Sequence, residues 1–125
     1  LITGAATILS TGCATNPVTG RPELALISAE QEKKIGAEEA KKVEEQMGLL
    51  EEARLTAYLE AVGQRLAKES PRQDVVYRFY VVDMTEPNAF ALPGGYVYVS
   101  RGLLALVNDE DELAGVVGHE IGHVA

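Results

Sequence analysis

The chain has 125 residues, 46% of them hydrophobic and 24% charged, which is the balance of an ordinary globular protein with material for one modest core. Its net charge is −8, and its lysines sit among acids, as Lys33-Lys34 and Lys41-Lys42 do among Glu30, Glu32, Glu38, Glu39 and Glu44. Such a surface makes no positive field for a nucleic-acid backbone, so no nucleic-acid partner is expected. No apolar run reaches the roughly 18–20 residues that a spanning helix needs, so an integral membrane protein is not expected either.

In chain order, the small and apolar run Leu1 to Leu9 leads through Ser10-Thr11-Gly12 to Cys13, the single cysteine. A lone cysteine excludes an internal disulfide. The segment resembles the end of a bacterial lipoprotein signal peptide, cut before a cysteine that then carries lipid. Residues 1–13 are therefore expected to be a partial signal with Cys13 the lipidation site; the alternative is a free thiol in a loose terminus. Asn16-Pro17, Gly20 and Pro22 then mark residues 14–27 as a turn-rich tether.

A first helix is expected from Ser28, where the Ser28 hydroxyl and Gln31 have the spacing of a capping box. Ile35, Ala40, Val43 and Met47 form its thin apolar stripe, and Gly48 is placed to end it in a left-handed cap. A second helix is expected over about 50–68, with Leu55, Tyr58, Leu59, Val62 and Leu66 on one buried face. Ser70-Pro71 ends it, because proline disfavours helical geometry in the residue before it.

From Val75 to Val82 the period changes to two. Val75, Tyr77, Phe79 and Val81 face one way and Val76, Arg78, Tyr80 and Val82 the other, which predicts a strand. Asn88 to Leu92 is a short second strand, Pro93-Gly94-Gly95 a tight turn, and Tyr96 to Ser100 a third strand that completes a hairpin. Gly102 to Val107 reads as a short helix. Asn108-Asp109 opens the last one, with Asp109 and Glu112 at capping-box spacing.

That last helix carries His119-Glu120-Ile121-Gly122-His123, with the only two histidines of the chain. At 3.6 residues per turn the imidazoles of His119 and His123 stand roughly 40° apart around the axis, so both reach one metal ion. Glu120 lies about 60° from His123, on the rim of the same face. There a carboxylate reaches a water activated by the metal without itself being a ligand, and takes the water proton during attack on a peptide carbonyl. The helix around the histidines is apolar, so they are expected to enter buried surroundings. Gly115, Gly118 and Gly122 each cost a helix roughly 1 kcal/mol relative to alanine, which suggests close approach of neighbouring backbone.

Taken together, Asn88-Ala89-Phe90-Ala91-Leu92-Pro93-Gly94-Gly95-Tyr96-Val97-Tyr98-Val99, Gly102-Leu103-Leu104, Glu112-Leu113-Ala114 and His119 to His123 resemble the HtpX and CaaX-prenyl-protease type of zinc peptidase, family M-forty-eight. The segments Asn16 to Gly20 and Glu30-Gln31-Glu32, with Cys13, resemble its exported lipoprotein branch. The resemblance implies an α+β, zincin-like fold: two N-terminal helices, a small antiparallel sheet with an edge strand, then the active-site helix. Residues 28–125 would be the N-terminal part of the peptidase domain.

The resemblance also implies roles. His119 and His123 would hold one zinc ion and Glu120 would be the general base. Asn88, Ala89 and Phe90 would pair with an extended substrate by strand addition; the alternative is an ordinary hairpin with the Phe90 side chain in the core. The third zinc ligand would be a glutamate downstream of Ala125; Glu112 shares the histidine face but lies two turns away. A catalytic zinc takes three protein ligands. Two function classes follow. One is a zinc endopeptidase of the bacterial envelope, on the periplasmic side, lipid-anchored and acting on extended or misfolded polypeptides. The other is a chaperone-like envelope lipoprotein whose metal site is incomplete or structural.

Overall fold

The structure is a computed structural model, and it describes residues 28–124; Cys13 and the expected signal and tether lie outside the described residues. In order the elements are α1 (Ala29–Gln46), α2 (Ala53–Ala67), β1 (Arg78–Val82), β2 (Ala89–Leu92), β3 (Tyr96–Ser100), α3 (Arg101–Leu106) and α4 (Glu110–Val124).

The local signals produce these elements with few shifts. Ser28 caps α1: its hydroxyl accepts from the Gln31 amide at 3.0 Å, while Gln31 accepts from the Ser28 amide at 3.2 Å. Gly48 follows the end of α1 with φ +80°, the left-handed conformation that glycine adopts freely. Helix α2 starts later than its apolar spacing suggests. The residues before it serve the sheet instead, where Leu49 bridges Val82 and the Leu50 amide donates to Val81 at 2.8 Å. Glu52 then caps α2 by accepting from the Leu55 amide at 2.8 Å.

The sheet is mixed, not antiparallel as expected. Its order is β1-β3-β2, with β2 antiparallel to β3 and β1 parallel to it. The reason lies in residues 83–88, which carry the chain from the end of β1 across the end of β3 to the far edge, two strand spacings or roughly 10 Å away. That crossing is stitched to the β3–α3 junction by Ser100, which is fully buried. Its Oγ accepts from the amides of Asn88 (2.9 Å) and Leu103 (3.0 Å) and donates to the Glu86 carbonyl (2.8 Å). Held there, β2 starts beyond β3, and the hairpin returns β3 into the middle.

The strand alternation survives this change of topology. Tyr77, Phe79, Val81, Ala89, Ala91, Val97 and Val99 pack with α2 and α4 on one face, in a core with Leu59, Val62, Leu113, Val117 and Ile121. Val82, Phe90, Leu92 and Tyr98 form a second cluster on the other face, with Ala40 and Val43 of α1 and Met47 just after it against the cluster. Two residues of the expected helix stripes fall outside. Ile35 is 43% and Tyr58 40% exposed. In α1 the contact runs through the next position: a β-carbon on Gly36 would lie 2.0 Å from the Pro93 carbonyl oxygen, so helix and β2–β3 turn meet backbone to backbone. In α2 the ring of Phe79 fills the space in front of Gly63, and Leu59, Val62 and Gly63 define the buried side.

Candidate active site

Helix α4 is anchored along one line, with Leu113 and Val117 at 0% exposure and Ile121 at 4%, all packed in the core shared with Ala89 and Ala91. Alanine at both strand positions lets the helix lie close to β2. At its start the Asp109 carboxylate accepts from the Glu112 amide at 2.9 Å. The return bond goes one residue further back than the capping box predicts, from the Asn108 amide to Glu112 Oε1 at 2.7 Å. That bond occupies Glu112 at the helix entrance, away from the histidines.

With the apolar line turned inward, His119 and His123 project from the opposite side. Both imidazoles are exposed, contrary to the expected buried setting. Their Nε2 atoms are 3.0 Å apart and their rings meet edge to face at 4.6 Å between centroids. Two zinc–nitrogen bonds of about 2.1 Å in tetrahedral geometry would separate the nitrogens by roughly 3.4 Å. The pair therefore fits a shared ion with a shift of a few tenths of an ångström. Donor atoms of His119, Glu120 and His123 all lie within 4.8 Å of one another, the one such cluster among the described residues.

The buried member is Glu120, at 2% exposure. It follows His119 and precedes Ile121, so the turn of the helix that exposes the imidazoles carries it inward. Loss of hydration raises its carboxyl pKa above the ordinary value, and the positive charge available at His119 opposes the rise. Glu120 and His119 stand at one end of a groove of about 560 Å³ between α3 and α4. Leu103, Leu106, Val107 and Val116 line its length, with Asp111 and Glu112 at the far end. The sequence shows no motif for this groove. Its only signal is the apolar helix Leu103 to Val107, in which Leu106 remains 60% exposed.

Among the described residues the glycines of α4 mediate no close packing. A β-carbon on Gly115, Gly118 or Gly122 would meet nothing within 4 Å among the described residues. Close approaches fall at Gly36, Gly63 and Gly102 instead, where a β-carbon would clash with Pro93, Phe79 and Thr85. These are the positions where elements cross, which helical spacing alone does not reveal.

The strand residues separate into two roles. Phe90 is 5% exposed and stacks on Tyr98 at 4.9 Å, on the sheet face away from α4. The Asn88 carbonyl accepts from the Ser100 amide at 2.9 Å. By the alternation of an antiparallel ladder, Phe90 also turns its main chain toward β3, whereas Ala89 and Ala91 turn theirs to the free edge.

An exposed pair of helix-borne imidazoles, a desolvated carboxylate between them in sequence and an adjoining groove thus lie together on α4. Comparison with known proteins gives the family. Residues 53–125 match the model of "Peptidase family M48", and the chain belongs to that family. It is 33% identical over 110 residues to the mitochondrial metalloendopeptidase OMA1 of Schizosaccharomyces pombe, an alignment covering 86% of this chain and 33% of that protein. To the beta-barrel assembly-enhancing protease of Yersinia pestis it is 32% identical over 108 residues, with 86% and 22% covered. The Escherichia coli protein of the same name is 30% identical over 110 residues, with 88% and 23% covered. The chain thus spans a third or less of the length of these relatives.

Proposed function

We propose that this chain carries the zinc-binding and proton-transfer part of a metalloendopeptidase that cleaves extended or misfolded polypeptides in the bacterial envelope. The observation that carries the reading is the placement of Glu120, buried at 2% exposure yet lining the groove beside His119. A structural zinc site has no use for a desolvated carboxylate next to its ligands, whereas a hydrolase needs one to accept a proton.

His119 and His123 would hold the zinc ion through Nε2, and a third protein ligand comes from outside the described residues, a glutamate downstream of Ala125 in our reading. When bound, zinc supplies Lewis acidity and makes water a nucleophile near neutral pH. Glu120 would accept the proton of the attacking water and deliver it to the leaving amine. The substrate lies extended along β2, paired with the outward main-chain groups of Ala89 and Ala91, while Asn88 and Phe90 brace the strand from behind. Supporting this, among the described residues no other strand pairs with the free side of β2.

Removal of the metal is the direct test. Treatment of the natural full-length protein with a chelator is expected to abolish cleavage of an unfolded protein substrate, and stoichiometric zinc to restore it. Turnover that persists without metal would reject the assignment. Client binding that persists while wild-type, zinc-loaded protein never cleaves would instead favour the chaperone-like reading.

For location, we infer attachment to the periplasmic side of an envelope membrane through lipid on Cys13. No described helix is long and apolar enough to cross a membrane. A lipid chain contributes roughly 0.8 kcal/mol per buried methylene, so Cys13→Ser is expected to move the protein from the membrane fraction to the soluble one. Equal membrane recovery of both forms would refute the anchor.

A further inference from the structure

Arg72, in the loop between α2 and β1, lies where three separate parts of the chain meet. Its guanidinium has five N–H donors in a fixed fork, and each has an acceptor. Nε and Nη2 donate to the Asp74 carboxylate at 3.0 and 2.8 Å. Nη2 and Nη1 donate to the Glu32 carboxylate at 3.0 and 2.9 Å. The remaining Nη1 proton points to the Val124 carbonyl, at 3.5 Å.

Glu32 belongs to the first turn of α1, and Val124 is the last described residue of α4, next to His123. The main chain of Arg72 is fixed as well. Its amide donates to Ser70 Oγ at 3.1 Å, and its carbonyl accepts from the Tyr77 hydroxyl at 3.1 Å. Ser70 and Tyr77 are themselves buried and hydrogen-bonded to each other at 2.8 Å. Only 26% of the Arg72 side chain is exposed, and Asp74 is held in its charged form by the pairing, its pKa lowered first by the Arg72 hydrogen bond.

This arrangement gives the Glu30-Gln31-Glu32 segment a use. Gln31 closes the cap of α1, and Glu32 reaches out of the helix to the arginine. It also places a cation within reach of the main chain of α4 one residue after His123. His123 sits in the same turn, so the angle at which its Nε2 faces His119 depends on how that turn is held.

We propose that Arg72 is a positioning residue for the metal centre: through Glu32 and the Val124 carbonyl it fixes the turn of α4 that carries His123 against the start of α1. The proposal rests on His119 and His123 being the zinc ligands.

The test measures zinc affinity of the natural full-length protein by chelator competition, together with the absorption spectrum of its cobalt-substituted form. Arg72→Ala is expected to weaken zinc binding roughly tenfold, in the range seen when outer contacts of metal ligands are removed, and to alter the cobalt spectrum. Arg72→Lys keeps the charge but not the fork and is expected to fall between. Should Arg72→Ala fail to fold, Glu32→Gln provides the reading, with an expected several-fold loss. Val82→Ala, a core truncation on the other face of the sheet, separates positioning from general stability: it is expected to lower the unfolding midpoint and leave zinc affinity unchanged. Zinc affinity within twofold of wild type in Arg72→Ala, or an equal loss in Val82→Ala, would overturn the proposal. His119→Ala keeps the two readings apart: undiminished zinc binding there would overturn the ligand assignment itself, and Arg72 with it.

Discussion

Glu120→Gln is expected to reduce peptide hydrolysis by roughly 10²- to 10⁴-fold, the usual contribution of a general acid–base group, while zinc binding and fold persist. The amide has nearly the shape of the carboxylate but accepts no proton at neutral pH, so the attacking water has nowhere to leave its proton. The fold persists because the substitution removes a charge from a place where charge is costly. Desolvation dominates the upward shift of the Glu120 pKa, with the charge of His119 opposing it, so a neutral side chain fits this site at least as well in the metal-free protein. Single-turnover cleavage of an unfolded substrate, with zinc content measured on the same sample, is the relevant assay. Turnover within a few-fold of wild type in the zinc-loaded variant would show that another residue moves the proton.

Gly102→Ala is expected to destabilise the protein by about 3 kcal/mol or more, the largest effect anticipated for so small a change. The added carbon would lie 1.9 Å from the Thr85 carbonyl oxygen, 2.5 Å from its carbon and 3.1 Å from the Glu86 carbonyl carbon. All three are backbone atoms of the crossing from β1 to β2, and they cannot yield easily. The Gly102 amide itself donates to the Met84 carbonyl at 3.0 Å, and Ser100 pins Glu86 and Asn88 on either side. Alanine favours a helix over glycine by about 1 kcal/mol, which is too little to offset displacement of that loop. The same arithmetic has the opposite sign at Gly115, where no atom of the described residues lies within 4 Å of the added carbon. Gly115→Ala is therefore expected to leave stability unchanged or raise it by up to about 1 kcal/mol. Urea unfolding of both variants checks the pair, and equal stability of Gly102→Ala and wild type would mean that the crossing loop is free to move.

What the sequence determined by itself is the content of each element and the chemistry it carries. Ser28 with Gln31, Gly48 after α1, the β2–β3 hairpin and the alternation from Tyr77 to Val82 all depend on neighbours within a few residues, and all appear in the structure. The same holds for the convergence of His119 and His123, which one helical turn guarantees. Tertiary structure alone decided the rest. Whether β1 pairs with β2 or crosses to lie parallel to β3 depends on Ser100 gripping a loop 12 to 14 residues away in sequence. Leu49 and Leu50 leave the helical pattern because the edge of β1 offers them partners. Glycines in α4 that promised close packing meet nothing among the described residues, while Gly36, Gly63 and Gly102 sit where elements cross. Arg72 finds Glu32 at a separation of 40 residues and Val124 at 52. Local spacing records which atoms share a helix face or a strand face. It carries no record of which faces later meet, because that follows from burying apolar surface and satisfying backbone polar groups across the whole molecule at once.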